Sequence, residues 1–265
     1  MRSTPLMTAL VVVLSLAACD RNSDAPASAD AAPADKASEP EPEPATPEPP
    51  EPEPKAKAET PPAKLADAMD RHFIHATELE QAVIDGDLEQ AVADARWIVD
   101  EQPKLDMPET WKPQLERMLA AATEVAAAKD LPSAARATGK LVGTCGTCHE
   151  ALGAGPKFST PLPVAEGEST AARMERHRWA AMRMREGIVG PSESHWKAGA
   201  EAVSVAPPKP CPIPDGDILA PEVLELREHI YTIGAEAAET RDLGDRAEIY
   251  GEFLTTCAGC HVGGC

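Results

Sequence analysis

From about residue 64 to the C-terminus, apolar side chains recur at steps of three and four. Leu65, Met69, His72, Ala76, Leu79 and Val83 share one face at that spacing, which predicts an amphipathic first helix. Gly86-Asp87 supplies a turn and a cap, and the pattern resumes as a second helix over about 87–101. Asp106 with Glu109 reads as a capping box for a third helix, with Pro108 in its first turn. Asp130 caps a fourth helix, whose first turn suits Pro132, and Pro191-Ser192 and Asp242 repeat the turn and the cap later in the chain. No segment sustains period-two alternation with β-branched residues, so strands are not expected.

Before residue 64 the pattern is different. Residues 1–18 run from Arg2 through an apolar Leu6–Ala18 stretch into Leu16-Ala17-Ala18-Cys19, the form of a bacterial lipoprotein signal that makes Cys19 the lipidated N-terminus. The apolar run is too short to span a bilayer as a helix. Residues 19–63 are Pro, Glu, Ala, Asp and Ser with almost no large apolar side chain, so they cannot build a core and read as a disordered acidic tether. In polyproline II form such a segment reaches about 130 Å. The expected location is the periplasmic side of a bacterial membrane, inner or outer, held by lipid at Cys19.

The remaining 200 or so residues repeat internally. Pro108–His149 overlays Ala220–His261 without a gap at an offset of 112, matching Glu116 with Glu228, Asp130-Leu131 with Asp242-Leu243 and Gly139 with Gly251. Upstream the offset falls to 105 and matches Met69, Arg71, His72 and Ala76 with Met174, Arg176, His177 and Ala181. Two units follow, 64–157 and 158–265, each of four helices.

Each unit ends in Cys-X-X-Cys-His: Cys145, Cys148 and His149 in the first, Cys257, Cys260 and His261 in the second. This spacing attaches c-type haem, the two thiols forming thioethers and the histidine reaching the iron from the proximal side. A zinc ribbon brings its CXXC pairs within a few tens of residues, and a thioredoxin-type CXXC opens a helix after a strand. Neither fits two copies more than a hundred residues apart, each closing a helix, so two covalently bound haem c groups are expected.

Motif placement at the end of the fourth helix resembles the class II c-type cytochromes, the cytochrome c′ group and its low-spin relatives. The resemblance covers about residues 64–150 and 169–261. It implies an all-α fold of two tandem antiparallel four-helix bundles, each holding haem among its helices. The chain has only 4 Trp, 2 Tyr and 3 Phe, so haem would supply much of the apolar volume of a thin core.

The sixth iron position decides between electron transfer and gas binding. Met69 and His72 stand three apart on the inward face of the first helix, as do Met174 and His177, and only one of each pair can bind. Recurrence favours His72 and His177 as distal ligands. Met69 and Met174 are the alternative, because low-spin class II cytochromes use a first-helix methionine at about this place. His75, His195 and His229 read as surface residues, and the arginines from Arg173 to Arg185 as a solvated basic face that can also meet haem propionates or an acidic partner. After the lipid site and four thioethers, Cys211 and Cys265 are left, at the same end of the second bundle, and are expected to form a disulfide.

The formal net charge is −19, with an acidic excess in both units. Nucleic acid is excluded as a natural partner, whereas a redox protein with a basic docking patch would be steered to this surface. No hydrolase triad or phosphate loop stands out. The expected function is single-electron transfer by a dihaem cytochrome, a carrier rather than a catalyst. Binding or sensing of NO or CO at an open haem is the alternative, and a dihaem peroxidase-like enzyme ranks third.

Overall fold

The computed structural model describes residues 63–101, 108–159, 164, 166–206 and 221–263, without the side chains of 63–65. The signal sequence, Cys19, residues 19–62 of the tether and the expected Cys211–Cys265 pair lie outside the described residues. The helices are α1 (Ala63–Asp85), α2 (Leu88–Asp100), α3 (Lys112–Ala126), α4 (Leu131–Leu152), α5 (Thr170–Val189), α6 (Glu193–Ala202), α7 (Pro221–Glu239) and α8 (Leu243–Val262). No strand occurs among the described residues.

Local chemistry sets the helix starts. Asp87, Asp130, Ser169, Ser192 and Asp242 each accept a backbone N–H of the first turn through their side-chain oxygen, satisfying donors that the helix itself cannot. Gly86 takes φ +80°, the left-handed conformation that the turn into α2 requires. The third helix departs from expectation. Its first turn is a 3₁₀ segment, Glu109–Trp111, preceded by Pro108, and the α-helix begins at Lys112 with Pro113 in its opening turn and no side-chain cap. A proline fits where N–H groups lack helical partners anyway, so Pro113 marks the start that Pro108 had suggested. Asp106 lies outside the described residues.

On α1, His72, Leu79 and Val83 are buried, as the three-four spacing predicts, and Met69 and Ala76 are half-buried. The eight helices belong to one compact unit. Neighbours in sequence pack side by side within each half, but α1 also lies against α8, α5 against α4, and α4 along α8. The first and last helices of the two halves thus form a shared centre, flanked by α2–α3 and α6–α7.

At that centre α4 and α8 run antiparallel, since Gly139 faces Ala247 and Gly251, while Gly146 faces Leu243 at the start of α8. A Cβ on Gly139 would stand 2.5 Å from the Ala247 carbonyl oxygen and 2.6 Å from the Gly251 nitrogen. These two glycines are the pair matched by the 112-residue repeat, so the helices cross at equivalent points. Alanine recurs throughout the surrounding core, as close helix approach demands. Trp196 is fully buried and donates its indole N–H to the Ala237 carbonyl oxygen at 2.7 Å.

Gly139→Ala should destabilise the protein by about 1–3 kcal/mol through overpacking. Gly251→Ala, whose added Cβ would meet Arg136 Cα at 3.0 Å, should cost less. Urea unfolding of both variants checks the order; equal midpoints would contradict the crossing geometry.

Candidate haem sites

On a helix, residues three and four apart share a face, so Cys145, Cys148 and His149 on α4 project together, as do Cys257, Cys260 and His261 on α8. Because the two helices are antiparallel, the motifs lie toward opposite ends of the pair. Cys257 is level with the neighbourhood of Ser133, which separates it from Cys145 by about 18 Å along the axis at 1.5 Å per residue.

The second motif opens into a cavity of about 440 Å³. Cys257, Cys260 and His261 line it together with Met174 and His177 of α5, and Ile84, Leu226 and Ile230 contribute apolar wall. The volume is within the range of about 300–1,000 Å³ usual for cofactor pockets. Arg178 and Arg227 also line it and supply positive charge. Burial drives the His177 pKa down to about 4, helped by the charges of Arg176, Arg173 and His261, so at neutral pH its imidazole is uncharged and keeps a lone pair for a metal.

The first motif meets a different requirement. His149 Nδ1 lies 2.7 Å from the Val189 carbonyl oxygen at the end of α5. A carbonyl only accepts, so the proton is on Nδ1 and Nε2 is left as a free donor of electrons, the arrangement that an axial histidine needs. Val189 belongs to the other half of the repeat. The packing of α5 on α4 therefore positions the first motif, and Gly146, whose absent Cβ would stand 2.3 Å from the Ile188 carbonyl oxygen, permits that packing.

His72 is buried, but its contacts are with α2 and the residue after it. Its Nε2 is 3.4 Å from the Glu101 carbonyl oxygen, its ring is edge-on to Trp97 at 5.9 Å, and its buried Nδ1 has no hydrogen-bond partner. Burial lowers its pKa. Met69 is half-buried. The structure thus brings Met174 and His177 into one cavity with their motif, and gives His72 an engagement on α2.

No family model, no curated protein and no solved structure matches the chain. The chemistry of the sites rests on the residues themselves.

Burial pushes the Cys145 thiol up to about 11 and the Cys257 thiol up to about 12, and raises that of Cys148. Cys145, Cys148 and Cys257 are free, whereas Cys260 is disulfide-bonded. A sulfur in a disulfide cannot form a thioether, so Cys260 must be reduced before it takes the expected role.

Several residues expected at the surface are buried. His195, near the start of α6, is covered by the segment after α4: its Nε2 lies 2.9 Å from the Ser159 carbonyl oxygen and its Nδ1 2.8 Å from Ser192 Oγ. In the basic stretch Arg173 and Arg185 are buried. Arg185 Nε stands 3.1 Å from Glu80 Oε2, and Tyr250, itself buried, donates to the Ala181 carbonyl oxygen beside them. The sequence carried one signal of this pairing, since positions 80 and 185 are 105 apart, the offset that relates the first helices. His75 stacks on Trp97 at 3.6 Å with Asp94 and Glu78 each 3.2 Å from its Nδ1, while His229 is exposed, as expected.

Thiols with raised pKa values hold little reactive thiolate at pH 8. Iodoacetamide at that pH should modify Cys148 ahead of Cys145 and Cys257 in the haem-free chain, with peptide mass mapping as readout. Faster labelling of Cys145 would contradict the burial of that sulfur.

Proposed function

We propose that this chain is a dihaem c-type cytochrome that transfers single electrons on the periplasmic side of a bacterial membrane, anchored by lipid at Cys19. The observation that carries the reading is the second cavity, where a Cys-X-X-Cys-His motif, a methionine and a neutral, half-buried histidine line one space of cofactor size. The Nδ1 bond of His149 supports the same role for the first motif. When bound, each haem supplies an iron that cycles between ferric and ferrous states.

The residues divide the work. Cys145, Cys148, Cys257 and reduced Cys260 fix the groups covalently, and His149 and His261 serve as proximal ligands. His177 is the favoured distal ligand of the second site and Met174 its alternative. Arg178 and Arg227 suit pairing with propionates, and the apolar wall excludes water, which favours low-spin, closed coordination. The acidic surface suits a redox partner with a basic docking patch. In this reading the halves are two haem-bearing bundles joined through α1, α4, α5 and α8.

One observation favours gas binding as a second reading, confined to the first site. His72 is turned toward α2, with Nε2 on the Glu101 carbonyl and its ring against Trp97, so only Nδ1 is left to reach the first iron, and a shift of α1 and α2 that brought it there would be needed for a distal histidine. Met69 is the remaining protein candidate there.

Visible spectra of the haem-loaded protein, reduced, with and without carbon monoxide, test both readings. Electron transfer predicts low-spin bands that the gas leaves unchanged, and a response in one of two haems that persists in Cys257→Ala/Cys260→Ala would assign gas binding to the first site. His177→Ala should open the second site to carbon monoxide, while Met174→Ala should leave it closed. Opening by Met174→Ala alone would make methionine the ligand.

A further inference from the structure

The two first helices contribute equivalent positions to the centre of the molecule, and those positions hold opposite charges. Glu80 on α1 and Arg185 on α5 stand one repeat offset apart in sequence and meet at 3.1 Å. Both are more than nine-tenths buried. The pair attracts mainly as charges, because neither Glu80 Oε2 nor Arg185 Nε makes an aligned hydrogen bond. Arg185 is further held by the Phe73 carbonyl oxygen at 3.3 Å and by the Phe73 ring, 4.3 Å below its guanidinium. Burial raises the Glu80 pKa and the Arg185 charge beside it opposes that rise; because the guanidinium stays charged, the carboxylate is the form of Glu80 that compensates it.

The pair is also oriented. Arg185 stands one turn before Ile188, whose carbonyl oxygen packs on Gly146 beside Cys145, and its charge favours negative charge at Cys145; Glu80 adjoins Gln81, which lines the cavity with Cys257 and Cys260, and its charge disfavours negative charge at Cys257. The positive end thus points to the first motif and the negative end to the second, from between them. A site near a buried positive charge holds an added electron more strongly, and one near a negative charge more weakly.

Resting on the dihaem reading, we propose that Glu80 and Arg185 form a fixed charge dipole that raises the reduction potential of the first haem site relative to the second, giving the molecule a direction of electron flow. The biased step is transfer of one electron from the second site to the first, iron being oxidised from ferrous to ferric at one and reduced from ferric to ferrous at the other. No bond or proton moves. One-electron redox proteins supply and remove the electron at the two ends.

Spectroelectrochemical titration of the two-haem protein tests this, with the waves assigned by Cys257→Ala/Cys260→Ala, which removes the second. Glu80→Gln/Arg185→Gln keeps the shape and removes both charges. It should move the electron partition toward the second site about tenfold, or about 59 mV for a one-electron couple. Arg185→Gln alone should lower the first potential more than the second, and Glu80→Gln alone should raise the second more than the first. Arginines around the second cavity are common to all these proteins and cancel in the comparison. Should removal of the pair prevent folding, Glu80→Arg/Arg185→Glu retains a pair and predicts a still larger shift toward the second site. An unchanged partition, or one displaced toward the first site, overturns the dipole while leaving the cytochrome reading intact; absence of any redox wave in the unaltered protein overturns both.

Discussion

Close approach of α4 and α8 is the constraint on which the rest of the structure depends. With Gly139 against the Ala247 carbonyl and Gly251, backbone meets backbone, and a side chain at the crossing would force the helices apart. Their antiparallel sense sends the two Cys-X-X-Cys-His motifs to opposite ends. It also opens places on either side of the pair for α1 and α5, which then touch both halves. Gly146, packed on the Ile188 carbonyl, extends the same logic to the first motif itself.

Sharing of α1 and α5 links fold to function. Each Cys-X-X-Cys-His helix draws part of its surroundings from the opposite half: Val189 of α5 accepts from His149, and Ile84 of α1 lines the cavity of the second motif. An isolated half would lose these contacts and would leave Glu80 or Arg185 without its partner. The internal repeat is therefore a repeat of sequence units that are completed by each other, and the local differences between them give the two sites unlike environments.

Helix type, most caps and the motif-bearing helix ends were legible in the sequence because they follow from local chemistry. An aspartate before an apolar-periodic run, or a glycine in a turn, acts on its own neighbours. The exchange of helix neighbours between halves was not legible, since periodicity identifies an apolar face without saying which helix covers it. Polar residues misled for the same reason. His195 and Arg185 look like surface residues by type, yet the segment around Ser159 covers one and Glu80 neutralises the other. The start of α3 was misplaced because Pro108 and Pro113 both suit a first turn and only packing selects between them. Of the distal candidates, His177 and Met174 were placed with their motif by repeat and periodicity alone, while His72 was drawn to Trp97 and Glu101, contacts set by the packing of α2 that no local pattern displays.

Covalent loading is the central claim, and its most direct test is the intact mass of the full-length protein after expression in a host that exports it and matures c-type cytochromes, followed by denaturation. Two haem groups retained per chain, on peptides containing Cys145 with Cys148 and Cys257 with Cys260, are the predicted result. A bare polypeptide mass with Cys145, Cys148 and Cys257 still open to alkylation would contradict it.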